Sequence, residues 1–253
     1  MAIIFHGVSR MIRSNVNLKN LLKVLFIHPN WIIGYFRTGS ISDIPKRYLY
    51  RLLPKDPIVI EAGCADGRDT AEFAKKFILG QVYGVEPHPE LFNLASKNTI
   101  GFSNVKILNY ALGDTNSDKV FLYTGDSENL HQSSSLLRPT NHLSIFSEID
   151  FSKKIEVKSI TLSSLMKNLN LDVIDLLWLD LQGFELKILE ESSNIMSKIR
   201  LIYLEVHKIE LYENSSTIDQ IQNFMHKNNF KCIMKRIPFI SGNAVYVNNT
   251  FYQ

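Results

Sequence analysis

Residues 57–62, Pro-Ile-Val-Ile-Glu-Ala, are short enough for a strand and apolar at odd and even positions alike. Such a strand is buried on both faces, which requires a parallel sheet with helices above and below it. The chain that follows supplies that sheet. Strands are predicted at 82–86, 104–109, 174–179 and 199–206, with helices at 68–78, 90–98, 162–168 and 184–190 interleaved. Segments 119–124 and 154–160 alternate as exposed strands do, with a polar loop between them. A helix begins at Ser216, with Asp219 three residues on as in a capping box. Strands at 230–236 and 244–247 close the chain, and so short a connection joins only an antiparallel pair. The expected fold is α/β: a doubly wound, mostly parallel sheet with a C-terminal antiparallel hairpin. At 253 residues the chain has room for one such domain, expected over 56–253.

Residues 1–55 form a separate N-terminal arm, read as helical at 18–27 and again at 45–53. This arm holds nine Lys and Arg against one acid, Asp43, and is therefore +8, while the remainder is −5. A basic arm with apolar Leu18, Leu21, Leu22 and Leu25 on one face suits peripheral contact with an anionic membrane surface. It suits a lid packed on the body equally well. Trp31, Tyr35 and Phe36 add an aromatic cluster that can stack on a sugar or pack internally. No apolar run approaches the roughly 20 residues of a membrane span. Two cysteines, Cys64 and Cys232, are too few for a disulfide framework, so a cytoplasmic location is expected.

The first strand runs into Glu61-Ala-Gly63-Cys-Ala65-Asp-Gly67. Two glycines between a buried strand and a helix let the backbone turn sharply and approach a ligand closely. The dinucleotide fingerprint requires a third glycine and meets a pyrophosphate. Here Glu61 stands where a phosphate is unwelcome and an ammonium is favoured. The pattern fits S-adenosylmethionine, which carries an ammonium and a sulfonium and no phosphate. Glu86 ends the second strand 19 residues after Gly67, where an acid can accept from both ribose hydroxyls of a nucleoside. No zinc spacing, nucleophile elbow or Walker loop is present. Ser133-Ser-Ser135 reads as a flexible loop without a fixed partner.

Several segments together resemble the FkbM-type methyltransferases. They are Val59-Ile-Glu-Ala-Gly-Cys-Ala-Asp-Gly, Val85-Glu86-Pro87-His88-Pro89-Glu90-Leu-Phe, Asn109-Tyr-Ala-Leu-Gly-Asp114, Ser133-Ser-Ser-Leu136 and Ile160-Thr-Leu-Ser-Ser-Leu165. The most specific is Ile174-Asp-Leu-Leu-Trp-Leu-Asp180-Leu-Gln-Gly183-Phe-Glu185, with Leu204-Glu205-Val-His207 beyond it. The resemblance spans roughly 57–250 and departs from the family pattern at Glu61, where aspartate is common, and at Gln182, where glutamate is common. It implies a class I, Rossmann-like methyltransferase fold and methyl transfer from S-adenosylmethionine, usually to oxygen and often on sugars. It also implies that Glu61, Gly63, Ala65 and Gly67 line the methionine moiety and that Glu86, with Pro87, meets the ribose. Asp114, or the backbone near Ala111 and Leu112, flanks the adenine.

Asp180, Glu205 and His207 end, or just pass, predicted core strands at the carboxyl edge where ligands of open sheets bind. An alcohol acceptor must lose a proton as it is methylated, and His207 or Asp180 can take it. Asp180 can also hold a divalent cation that acidifies the hydroxyl. The expected acceptor is a sugar hydroxyl of a glycan, glycolipid or related metabolite. RNA or amino-group methylation and a non-catalytic cofactor-binding scaffold are the competing readings.

Overall fold

The computed structural model describes residues 43–125, 134–140 and 153–252. The helix expected at 18–27 and the aromatic cluster Trp31, Tyr35 and Phe36 lie outside them. Among the described residues, helix α1 (Lys46–Tyr50) comes first, followed by β1 (Ile58–Ala62), α2 (Arg68–Lys76), β2 (Gln81–Val85), α3 (Pro89–Thr99) and β3 (Val105–Leu108). β4 (Ala111–Leu112), β5 (Ser117–Thr124) and β6 (Lys153–Ile160) precede α4 (Leu162–Asn168), β7 (Ile174–Leu179) and α5 (Glu185–Glu191). A 3-10 helix at Ser192–Lys198 leads into β8 (Ile199–His207), α6 (Ile218–Lys227), β9 (Phe230–Arg236) and β10 (Ser241–Asn248).

Seven strands form one sheet in the order β3-β2-β1-β7-β8-β10-β9. β1 pairs in parallel with β2 and β7, and β7 with β8, so the winding reverses between β1 and β7. Ligands of open α/β sheets bind at that reversal, beyond the carboxyl ends of the strands. The expected C-terminal hairpin is present, with β10 inserted between β8 and β9 and antiparallel to both. This is the class I methyltransferase fold read from the sequence.

Neighbouring residues of each central strand enter opposite apolar layers. Val59, Leu176 and Leu201 pack with Phe73, Phe77 and Leu49 on one side. Ile60, Leu177 and Ile202 pack with Leu165, Leu189 and Ile221 on the other. All six residues of β7 are buried, as a strand covered on both faces requires. Asp175 is the polar exception in β7. It accepts from the Ile58 amide at 2.8 Å and pairs with Arg200 at 2.9 Å, a structural role at the sheet edge away from the site.

Three local readings change. The helix expected at Ser216 starts one residue later: Thr217 is its N-cap, and Gln220, not Asp219, folds back to accept from the Thr217 amide at 2.8 Å. β5 and β6 pair antiparallel as a small second sheet, with two-residue β4 parallel to β6. Of the serine loop, Ser133 lies outside the described residues, while Ser135 is buried and exchanges backbone hydrogen bonds with Tyr123 in β5. Ser134 Oγ also donates to Thr124 at 2.9 Å.

The last residues of the predicted arm pack against the body. Ile44 and Leu49 are buried, and the Tyr50 ring meets Phe73 and Phe77 edge-on. Arg236 donates to the Asp43 carbonyl, and the Tyr252 hydroxyl to that of Leu52.

Candidate active site

At the end of β1 the chain turns through Gly63 (φ +81) and Ala65 (φ +47) to Gly67 (φ +75), the N-cap of α2. The amides of Gly63 and Cys64 both point at the Val85 carbonyl, which ties the turn to β2. Gly63 must be glycine because a Cβ there lies 2.0 Å from the Asp180 carbonyl oxygen. At Gly67 the added carbon lies 3.0 Å from Ala95, so this glycine permits the close crossing of α2 and α3.

Glu86 follows β2 and is 5% exposed. One carboxylate oxygen accepts from the Ala65 amide at 2.9 Å and the other from the His88 amide at 2.8 Å. Burial pushes its pKa up to about 7, with those two amide donors acting in the opposite direction. Glu61 lies in β1, buried, and accepts from the Thr70 hydroxyl. Burial, with the charge of Asp69, raises it well above the usual carboxylate range.

Two cavities open over this edge. The first, about 160 Å³, has Leu91, Ala111, Leu112, Leu122, Leu136 and Phe184 as apolar walls, with Glu86 and Pro87 on its rim. An apolar slot with one buried carboxylate suits a nucleoside: the walls take the base, and Glu86 keeps lone pairs for the ribose hydroxyls. The second, about 640 Å³, is polar and lies between α1, α2 and the ends of β7 and β8. Gly63, Ala65 and Asp180 border both cavities and so mark their junction. Glu61 faces the second, where an ammonium would meet it. These residues fit S-adenosylmethionine, with its nucleoside in the first cavity and its methionine end at the junction.

Asp180 begins the turn after β7 and is open to the cleft. Surrounding protein raises its pKa, and the charges of Asp43 and Asp69 act in the same direction, as two negative neighbours alone would do. Glu205, in β8, is raised as well, by burial and then by Asp180. Between them stands Gln182, whose side-chain amide donates to Asp180 at 2.8 Å and to Glu205 at 3.0 Å. Glu185 starts α5, fully inside the protein, and accepts from the Leu181 and Gly183 amides across the same turn.

The predicted residues do not all converge. Glu61, Gly63, Ala65, Glu86, Pro87, Ala111, Asp180 and Glu205 border the two cavities. Gly67 shapes the loop and lines neither. Asp114 is exposed and stands outside both, leaving Ala111 and Leu112 to form that wall. His207 is 2% exposed, contacts Ser241 Oγ at 2.9 Å and lies behind Glu205, its Nε2 3.7 Å from that carboxylate. Among the described residues no group of three or more His, Cys, Asp and Glu is arranged to hold a metal ion. Sequence reasoning missed the β5 wall residue Leu122, the α1 residue Lys46 and the bridging role of Gln182. The alternation in 119–124 carried a signal for Leu122 alone.

The methyltransferase FkbM domain pattern matches residues 61–232. The chain is 29% identical over 183 residues to the 2-O-methyltransferase NoeI of Sinorhizobium fredii, covering 71% of this chain and 75% of that one. Among solved structures it is similar to Methanococcus jannaschii fibrillarin, a pre-rRNA processing protein (TM-score 0.46, 10% identity, 78% and 68% of the two chains). It is also similar to M. capricolum TrmK bound to S-adenosylhomocysteine (TM-score 0.44, 12% identity, 82% and 69%). Likeness at that level carries nothing about activity. The domain match spans more than half of the chain and includes the glycine turn, Glu86, Asp180 and Glu205, and on it this chain belongs to the FkbM family of S-adenosylmethionine-dependent methyltransferases.

Proposed function

We propose that this enzyme methylates a sugar hydroxyl of a glycan, glycolipid or related metabolite. The observation that carries the reading is the convergence of Asp180 and Glu205 on a polar cavity joined to the nucleoside slot. When bound, S-adenosylmethionine supplies an electrophilic methyl group on a sulfonium. The protein then has two tasks. It must hold the acceptor oxygen in line with that methyl group, and good positioning lowers a barrier by about 7–11 kcal/mol. It must also receive the hydroxyl proton as the C–O bond forms, which contributes about 10²–10⁴-fold. Asp180, open to the cleft at the junction, takes that proton. His207, buried behind Glu205, supports the pair from the rear.

Charge favours a glycan over RNA. Seven acids (Asp43, Glu61, Asp66, Asp69, Glu72, Asp180 and Glu205) line the second cavity against three bases, Lys46, Arg47 and Arg68. Two of those bases are already paired, Lys46 with Asp69 and Glu72, and Arg68 with Asp66. Such walls present few unpaired cations to a phosphate backbone and many hydrogen-bonding groups to hydroxyls. The 2-O-methyl specificity in the name of the Sinorhizobium relative supports transfer to oxygen.

The test incubates purified protein and labelled S-adenosylmethionine with separate glycan, lipid-linked glycan and RNA fractions. Label is expected in a glycan fraction. Label confined to RNA would overturn the proposal, and cofactor binding without any labelled fraction would favour the scaffold reading.

A further inference from the structure

We infer that Gln182 is a positioning residue, its side-chain amide clamping Asp180 and Glu205 into a fixed carboxylate pair at the acceptor end of the cleft. The inference deepens the function proposed above and rests on it for the part played by Asp180. Four contacts carry it. The Gln182 amide nitrogen lies 2.8 Å from Asp180 Oδ1 and 3.0 Å from Glu205 Oε2. The buried Tyr212 hydroxyl donates to Gln182 Oε1 at 3.0 Å. Ser135 Oγ donates to the Gln182 carbonyl at 3.0 Å. Tyr212 thereby fixes which end of the amide faces the acids, because ionised carboxylates accept and only the –NH₂ end can donate to both.

The backbone supports the same conclusion. Gln182 sits at φ +52 and Gly183 at φ +95, two successive left-handed residues. A non-glycine residue in that region is disfavoured and persists where its surroundings over-determine it, often at active sites. The neighbours that do so are identifiable. Glu185 binds the amides on either side of Gln182, and a Cβ on Gly183 would stand 2.8 Å from Ser215 and 3.2 Å from the Tyr212 ring.

Two carboxylates on adjacent parallel strands repel, which favours separation or one proton shared between them. One amide with two N–H groups holds the two at a fixed spacing. It spans the pair, favours the ionised forms by donating to them, and holds one oxygen of Asp180 in place. A carboxylate at position 182 would supply no donor when ionised and would add a third negative charge.

The test uses the full chain with Gln182→Asn, Gln182→Glu and Tyr212→Phe. Asparagine tolerates the left-handed conformation better than glutamine, so its effect is not backbone strain. It is one methylene too short to span the pair. With the glycan fraction that accepts label, Gln182→Asn should lower kcat by roughly 10- to 100-fold, with acceptor KM and cofactor affinity nearly unchanged. The acid limb of its pH–rate profile should move up by about one pH unit, since lost donors disfavour ionisation. Gln182→Glu should move the limb in the same direction, and Tyr212→Phe should do so by less. The other titratable groups facing the pair, among them Asp43, Glu61, Asp69, Glu86, Glu185 and His207, are unchanged in all three.

A second measurement, carbon-13 titration of the side-chain carboxyls, with Asp180→Asn and Glu205→Gln as assignment controls, needs no acceptor. It therefore separates failure of the clamp from failure of the glycan reading. A pair whose titration moves upward in Gln182→Asn supports the clamp even if no fraction accepts label. An unmoved titration, or a fall in kcat with no movement of the acid limb, would overturn it.

Discussion

The carboxylate of Glu86 accepts from the amides of Ala65 and His88, so it shapes the glycine turn while it faces the nucleoside slot. Glu86→Ala is expected to weaken S-adenosylmethionine binding by about 1–3 kcal/mol, measured by calorimetry, because partners on both sides lose their acceptor. Burial also gives Glu86 and Glu185 a pH signature, having raised both from 4.5 to about 7. Between those values the folded state binds more protons than the unfolded state, so stability falls as pH rises through the window. The urea midpoint of the ligand-free protein should drop from about pH 5 to pH 7.5. Glu185→Gln should flatten that slope, by about 1–3 kcal/mol across the window, and an unchanged slope would refute the assignment. Gly63 and Gly101 make a matched pair. A Cβ at Gly63 strikes the Asp180 carbonyl, whereas one at Gly101 meets nothing within 4 Å. Gly63→Ala should therefore cost about 1–3 kcal/mol and disturb the turn that carries Asp180, while Gly101→Ala should leave the melting temperature and cofactor binding alone.

Among the elements, α1 closes one side of the second cavity, and two kinds of contact hold it. Lys46 reaches Asp69 and Glu72, whose side chains are 45% and 52% exposed, and pairs that open to water contribute roughly 1 kcal/mol or less. Leu49 is completely buried among apolar side chains. Denaturant unfolding should then show Leu49→Ala losing about 2–5 kcal/mol and Lys46→Ala under about 1 kcal/mol. The reverse order would mean that charge seats the helix. The central strands were legible because burial on both faces leaves an unbroken apolar run, as in β1 and β7. β4 was not, since two residues, Ala111 and Leu112, are too few to show a period. The site divides in the same way. The Gly63 turn and Glu86 are local signals, a few residues of the right kind at a strand end. The clamp is not local: Gln182 meets Glu205 23 residues on and Tyr212 30 residues on, and only the pairing of β7 with β8 brings them together. His207 carried the right chemistry for a base, but its burial behind Glu205 depends on β10 covering β8, which no feature of residues 204–207 announces.

At the scale of the whole molecule, charge is divided between a basic N-terminal arm and an acidic cavity. The two can serve one acceptor if its anionic portion lies away from the sugar being methylated, as in a lipid-linked glycan at a membrane surface. No helix among the described residues is long and apolar enough to cross a membrane. Residues 1–40 contain five Lys and Arg and no Asp or Glu. Near an anionic surface each such cation contributes about 1 kcal/mol, and salt removes the attraction as the screening length falls below about 10 Å. Among the described residues the first to enter the core are Ile44 and Leu49, and a deletion of 1–40 leaves both in place while it removes five of the arm's nine cations. The truncated chain is expected to keep its melting temperature and its affinity for S-adenosylmethionine. The full chain should sediment with phosphatidylglycerol vesicles at low salt, release at high salt, and lose this behaviour on truncation. Equal sedimentation of the two forms would place the contact elsewhere on the surface. Loss of cofactor affinity on truncation would instead make residues 1–40 part of the folded body, a lid whose removal opens the cleft.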